Sequence, residues 1–365
     1  MTTIYLIRHA EAEGNLYRRI HGWYNSLITD NGYRQIAALE ERFRDIHVDA
    51  VYSSDLFRTC TTARAVYVPK GLALHTDPGL RELNLGDWED RTFGSVRHTD
   101  PQQMELFNRT DPAWSVPNAE RFSQLGERVY DAVRCLAEEH PGQTIALFSH
   151  GMALRQFLGK VKNVPPEEWH SMPHGDNTAV SRLTWDGERF AIQFEMDNSH
   201  LPEEISTLAR QSWWRKDKKV SADVNLWFRP AVWPQDRALY PEAEGDRNMT
   251  VAMSGDRPVG FFLTDPERYR EEKAGYIRFL SLLPEDRGRG LGIQLVGEVV
   301  SEYRRAGRDR LRLHCPADNE GARRFFQKYG FVKVGEDPEG DLLEKCIGFE
   351  DRKKFAPCRG TEAVL

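Results

Sequence analysis

Two histidines stand where apolar strands end. Residues 3–7 (TIYLI) run directly into Arg8-His9, and residues 144–148 (TIALF) run through Ser149 into His150-Gly151. In open α/β sheets ligands bind beyond the carboxyl ends of the strands, so both histidines fall where a site belongs. A third segment, residues 49–53 (DAVYS), delivers Ser53, Ser54 and Asp55 to the start of a helix with Arg58 in its first turn. A helix N-terminus attracts anions, and an arginine there strengthens the preference. Phosphate is the anion that accounts for this set. Phosphate monoesters hydrolyse extremely slowly unaided. Catalysis must position the phosphoryl group and stabilise charge on its equatorial oxygens, which suits Arg8, Arg58 and His150. A neutral His9 can attack phosphorus and split one hard step into two through a covalent intermediate. The leaving oxygen then needs a proton, and Glu82, in the polar segment LRELNLGDWED, is a reasonable donor.

These side chains require strands held between helices. A helical pattern covers residues 31–44, with Thr29 and Asp30 as caps. Residues 55–66 read as a second helix. Residues 121–139 form a long amphipathic one with Val129, Ala132, Val133 and Leu136 on one face. Another begins at Gly151. Strands alternating with helices predict a layered α/β domain over residues 1–202. A polar, partly helical connector is expected over 203–223. From Leu226 the pattern changes. Strands are expected at 249–253 and 259–263, joined by Ser254-Gly255-Asp256, and at 276–283, 309–315 and 331–334. A long helix follows the third strand and a shorter one covers 320–329, so residues 224–365 form a second domain.

That second domain carries its own anion signal. In residues 282–295 (LLPEDRGRGLGIQL) a strand ends, glycines occupy positions 288, 290 and 292, and a helix starts. Glycines let backbone approach an anion closely, and a helix start offers free N–H groups. No Gly-Lys-Ser/Thr follows, so this is no Walker motif. The glycine spacing also differs from the dinucleotide fingerprint.

Arg8-His9-Ala10-Glu11 with Asn15 resembles the signature of the histidine phosphatase superfamily, which includes the cofactor-dependent phosphoglycerate mutases. The likeness continues through residues 28–32 (ITDNG), Ser53-Ser54-Asp55-Leu56 with Arg58 and Thr62-Ala63, Leu80-Arg81-Glu82 with residues 86–89 (GDWE), and Ser149-His150-Gly151 with Arg155. It implies a phosphoglycerate mutase-like three-layer α/β/α fold acting on a small phosphomonoester. It also implies His9 as nucleophile, Arg8, Arg58 and His150 as phosphate pocket, Glu82 as proton donor and Asn15 as a substrate contact. His21 and Asn177 are candidates to border the substrate. Ala10 stands where the family usually has glycine and Ala12 where it often has threonine or serine; neither change removes a charged group. The segment from Glu11 to Asn15 reads closer to phosphatase members than to mutases, which leaves phosphoglycerate mutase-type transfer as the alternative.

Downstream, Arg287-x-x-Gly290-x-Gly292, Asn319, Ala322 and Tyr329-Gly330-Phe331 resemble the GNAT N-acetyltransferase family, over about residues 226–336. This implies a mixed α+β domain using acetyl-CoA and an amine acceptor. The cofactor would lie on the backbone of Leu283 and of Arg287, Gly288, Arg289, Gly290, Leu291 and Gly292. Asn319 would lie near the pantetheine arm, and Tyr329 would protonate the departing thiolate. The segment before Met249 is short for the family, and no general base is obvious on the 276–283 strand. A CoA-binding sensor that regulates the phosphatase is therefore a second possibility beside a bifunctional enzyme.

The remaining composition narrows the class. A chain of 365 residues is too long for one ordinary core. A net charge of −6 gives no reason to expect a nucleic-acid partner. No apolar run approaches the roughly 20 residues that span a bilayer. The N-terminus lacks the basic and long apolar regions of a secretory signal, which points to a cytoplasmic protein. Cys60, Cys135, Cys315, Cys346 and Cys358 are scattered without a CxxC pair, arguing against a disulfide framework or zinc site. No metal is expected in either domain.

Overall fold

The computed structural model describes residues 1–211 and 224–349. Most of the expected connector and the C-terminal tail lie outside these. The chain divides into two compact units. The first comprises residues 1–14, 20–90 and 100–223, and the second 15–19, 91–99 and 224–365.

The first unit is built on a six-stranded sheet of β1 (Thr2–Arg8), β2 (Ala50–Ser53), β3 (Leu74–Thr76), β4 (Thr144–Ser149), β5 (Val180–Trp185) and β6 (Phe190–Asp197), in the order β3-β2-β4-β1-β5-β6. The first four strands are mutually parallel, and β5 and β6 form an antiparallel edge. Side chains alternate across a strand, so β1 loads both faces. Tyr5 and Ile7 join a core with Ile36, Leu39 and Phe43 of α1 (Asp30–Phe43) and Ala63 and Val66 of α2 (Phe57–Tyr67). On the other face α3 (Phe122–Glu139) and α4 (Gly151–Val161) pack against β1 and each other. The result is the expected three-layer α/β/α arrangement. The α1 cap is Thr29, whose hydroxyl accepts from the Gly32 amide, while Asp30 is the first helical residue. The β5–β6 hairpin and the three-residue β3 had not been anticipated. β3 is a short, largely exposed edge without a strand-length apolar run.

The second unit has a seven-stranded sheet in the order β12-β13-β11-β10-β9-β8-β7. Its strands are β7 (Trp227–Pro230), β8 (Met249–Ser254), β9 (Arg257–Asp265), β10 (Ala274–Leu282), β11 (Arg310–Cys315), β12 (Val332–Asp337) and β13 (Gly340–Cys346). Only β10 and β11 are parallel, a mixed α+β pattern. Helix α5 (Gly292–Arg305) covers one face, with Val296, Val299 and Val300 against Ile277, Leu311 and Leu313. Helix α6 (Glu320–Lys328) adds Phe326. The segment 15–19 completes this unit's interior. Tyr17 is buried in the same core, and the buried Arg19 pairs with Glu298 and donates to Ser301 on α5. His98 stacks on Trp227 in the same unit, ring centroids 3.8 Å apart. Among the described residues no helix is long and apolar enough to cross a membrane.

Candidate functional site

In the first unit the parallel strands place the chemistry at their carboxyl ends. β1 ends at Arg8 and β4 at Ser149, paired in register, so His9 and His150 emerge side by side with ring centroids 5.3 Å apart. His9 is 6% exposed. Its Nδ1 lies 2.7 Å from the Ala10 carbonyl, a contact that only a protonated Nδ1 can make as donor. The lone pair is thereby left on Nε2. Burial, then the charges of Arg58 and Arg8, hold the imidazole well below its ordinary proton affinity, against the pull of the Ala10 carbonyl. His150 is depressed in the same way by burial, Arg58, His9 and Arg8. Its Nε2 is 2.7 Å from the Ser54 hydroxyl, which in turn meets Thr59.

Arg58 is 1% exposed. Its Nη1 donates to the Tyr24 carbonyl at 3.1 Å, and Nη2 donates to Gly22 at 2.6 Å and His21 at 3.4 Å. Burial lowers its pKa to about 10, although Glu82 and Glu89 oppose the shift. Arg8 donates to the Gly175 carbonyl at 2.5 Å and is lowered by burial, partly offset by Asp176 and Glu82. Nε–H of Arg8 and Nε–H of Arg58 are buried without a hydrogen-bond partner among the described residues. Buried donors are nearly always paired. These orphans around His9 fit a tetrahedral oxyanion that would take up their hydrogens.

Glu82 sits at the start of α4, where Oε2 accepts from the Met152 amide and Oε1 from Ala153 and Leu83, each at 3.0 Å. Asn177 is buried and supports His9 from behind, its Nδ2 donating to the His9 carbonyl at 2.9 Å. That contact positions His9, and the Asn177 Oδ1 is left buried without a partner among the described residues. His21 faces Asp90, with Nε2 3.6 Å from Oδ1, and burial lowers its pKa. Asn15 falls in the segment grouped with the second unit.

Sequence reasoning missed two supporting carboxylates. Glu89 accepts from the amides of Gly22, Trp23 and Tyr24 at 2.7–3.0 Å, fixing the loop whose carbonyls hold Arg58. Asp176 accepts from Asn177 and Leu208 and from the Ser206 hydroxyl, and its charge faces Arg8. Glu89 lies inside a recognised motif block, but nothing local announces that its partners are amides more than 60 residues away.

In the second unit β10 runs into the glycine turn. Leu283 donates its amide to Val259, and the Arg287 Nε donates to the Leu282 carbonyl at 3.0 Å. Gly288 and Gly290 adopt φ of +72° and +74°, and a Cβ on either would meet nothing within 4 Å. Arg289 and Arg257 both pair with the buried Asp286, which pins the turn. Leu291 precedes α5 and Gly292 opens it, 14 residues long. An open left-handed turn feeding a helix N-terminus fits a diphosphate. β10 pairs with β11 only over Ala274–Ile277, while its pairing with β9 runs on to Leu282. The two parallel strands therefore part beyond Ile277. Asn319 caps α6, its Oδ1 accepting from the Ala322 amide at 3.0 Å. The Tyr329 ring packs on Phe325, centroids 5.1 Å apart, and its carbonyl accepts from Lys345.

Residues 4–198 match the histidine phosphatase superfamily (branch 1), and residues 211–331 match the acetyltransferase (GNAT) family. The probable phosphoglycerate mutase GpmB of Yersinia pestis (strain Pestoides F) is 33% identical over 207 residues, covering 55% of this chain and 95% of that protein. Bacillus stearothermophilus YhfR is similar in structure, with a TM-score of 0.53 and 32% identity over 55% of this chain and 99% of that one. The phosphoserine phosphatase of Entamoeba histolytica shares the fold, with a TM-score of 0.50 and 23% identity over 55% of this chain and all of that one.

Proposed function

Because the chain belongs to the histidine phosphatase superfamily and continues into a GNAT-family segment, we propose that it is a bifunctional enzyme, hydrolysing a small phosphomonoester and transferring acetyl from acetyl-CoA to an amine. We assign the phosphatase to residues 1–202 and the acetyltransferase to 224–365, with 203–223 as connector. The observation that carries the first activity is the neutral His9 with its Nε2 lone pair free and buried orphan donors around it. Nε2 attacks phosphorus as the P–O bond breaks, and Glu82 gives its proton to the leaving oxygen. Water then attacks phosphorus as the P–Nε2 bond breaks, returning the imidazole and releasing phosphate, and Glu82 takes a proton back from the water. Phosphate-release assays over a metabolite panel test this reading. The Yersinia relative's name favours a second reading, mutase-type transfer. Under that reading, phosphoglycerate isomers interconvert faster than phosphate is released.

The clamp is made of guanidinium and imidazole groups, and among the described residues the phosphatase site holds no carboxylate cluster suited to magnesium. EDTA should leave phosphate release within about twofold of its untreated value. Full loss restored by a divalent ion would defeat the mechanism.

For the second activity, the glycine turn and the α5 N-terminus would hold the diphosphate of acetyl-CoA, which supplies an activated acyl group. Gly290→Glu forces a side chain into a left-handed φ and puts negative charge at the cradle. Acetyl-CoA affinity should fall at least about 100-fold by calorimetric titration, with phosphate release retained. Equal affinity in both proteins would remove the placement. If acetyl-CoA alters phosphate release with no thiol liberated from any amine, the sensor role replaces the transferase.

A further inference from the structure

On the assumption that the second unit acetylates amines, the reaction needs a proton acceptor, and β10 carries no carboxylate suited to the task. Its Tyr276 is bonded to another group. Tyr276 lies opposite Arg312 in the β10–β11 register, and His314 is the first residue of β11 beyond the last pair, Ile277–Leu313. Residues two apart share a face, so Tyr276 and His314 project together at the point where the strands part. That face is opposite α5, since Ile277 and Leu313 pack on α5.

The Tyr276 hydroxyl is 2.8 Å from His314 Nδ1, and His314 Nε2 is 2.9 Å from an Asp337 carboxylate oxygen. In the neutral imidazole Nε2–H donates to Asp337 and Nδ1 accepts from the tyrosine, the tautomer that satisfies both contacts. Glu339 approaches Nδ1 at 3.7 Å, but Arg268 holds it through two bonds of 3.0 Å. The same guanidinium lies over the Tyr276 ring, 4.2 Å from its centroid. His314, Asp337 and Glu339 bring ligand-type atoms within 4.8 Å of one another. With Glu339 already neutralised, the trio is better placed to pass protons than to hold a cation.

We propose that Tyr276, His314 and Asp337 form the proton relay that deprotonates the acetyl acceptor. An ammonium acceptor loses two protons on becoming an amide. The departing thiolate takes one. The Tyr276 oxygen takes the other as its own hydrogen passes to His314 Nδ1, and Asp337 stabilises the imidazolium through Nε2–H. The chain runs from a hydroxyl on a residue only 3% exposed to a carboxylate side chain 39% exposed, so the proton has a way out to water. Burial pushes the Tyr276 hydroxyl up to about 12, against the Arg268 charge, which keeps it a carrier that passes protons on.

The test uses the full chain and its Tyr276→Phe, His314→Gln and Asp337→Asn variants. In the protein without cofactor, nitrogen NMR of labelled histidine should show His314 protonated on Nε2 alone, and Tyr276→Phe should change the Nδ1 resonance. Acetyl-CoA affinity should stay within about twofold in all three variants, while thiol release over a panel of primary amines falls roughly 10²–10³-fold for His314→Gln and Tyr276→Phe. The pH profile of the wild-type rate should be altered in His314→Gln. Asp337, Glu339, Tyr276 and Arg268 are the charged and titratable groups facing that imidazole. Wild-type rate and pH profile in His314→Gln would overturn the relay, as would a His314 protonated on Nδ1 or acetyl-CoA binding without thiol release from any amine. If the wild type fails to bind acetyl-CoA, the acetyltransferase reading itself falls and the relay with it.

Discussion

His9→Ala should abolish phosphate release, by on the order of 10⁵-fold or more, because no other group can take over covalent transfer. The imidazole is held at a strand end with Nδ1 committed to the Ala10 carbonyl, and the unpaired Nε donors of Arg8 and Arg58 belong to the charges that act on it. Acid-labile phosphate should appear on the wild type during turnover and be absent from the variant. Among the described residues the side chain makes only that local hydrogen bond, so thermal unfolding should change little. A well-folded His9→Ala protein that retains substantial phosphate release would end the nucleophile assignment.

Arg58→Lys should lower kcat by roughly 10²–10³-fold although it preserves the charge. The two terminal nitrogens of Arg58 are committed to the carbonyls of His21, Gly22 and Tyr24, and its Nε is left over. One planar group thus ties the loop and offers a donor beside the two histidines. A single ammonium cannot do both: it either abandons the loop or stays out of reach of the phosphoryl group. Losing one or more of those buried bonds should also cost about 1–3 kcal/mol of stability. Steady-state kinetics and calorimetric unfolding on the same preparation separate the two effects. A kcat within threefold of wild type would show that Arg58 is there for the loop alone.

The first site was legible because its residues announce themselves locally. His9 and His150 each follow an apolar strand, and Arg58 follows a strand–turn–helix junction. What escaped notice was whatever acts through backbone. Glu89 and Asp176 have their effect through amides of other loops. A sequence shows side-chain types but not which amide each will meet. Asn319 has a similar role through backbone, its side chain capping α6. The relay in the second unit was illegible for a topological reason. Its members are separated by 38 and 23 residues and meet because β11 lies between β10 and the β12–β13 hairpin, where Asp337 ends β12. Strand β13, for which the sequence reading has no strand, completes this arrangement.

The discontinuity of the second unit bears on how the chain is made. Tyr17 and Arg19 belong to its interior, yet more than 200 residues separate them from the strand β7 that opens its sheet. A ribosome releases residues in order, so this tyrosine and arginine emerge long before the helix that receives them. Closing so long a loop is entropically slow to accomplish, and contacts of this separation form late. The amino-terminal half must wait with an aromatic and a cation in water until α5 is synthesised. The burial of Tyr17 and Arg19 then waits on a helix made more than 200 residues after them.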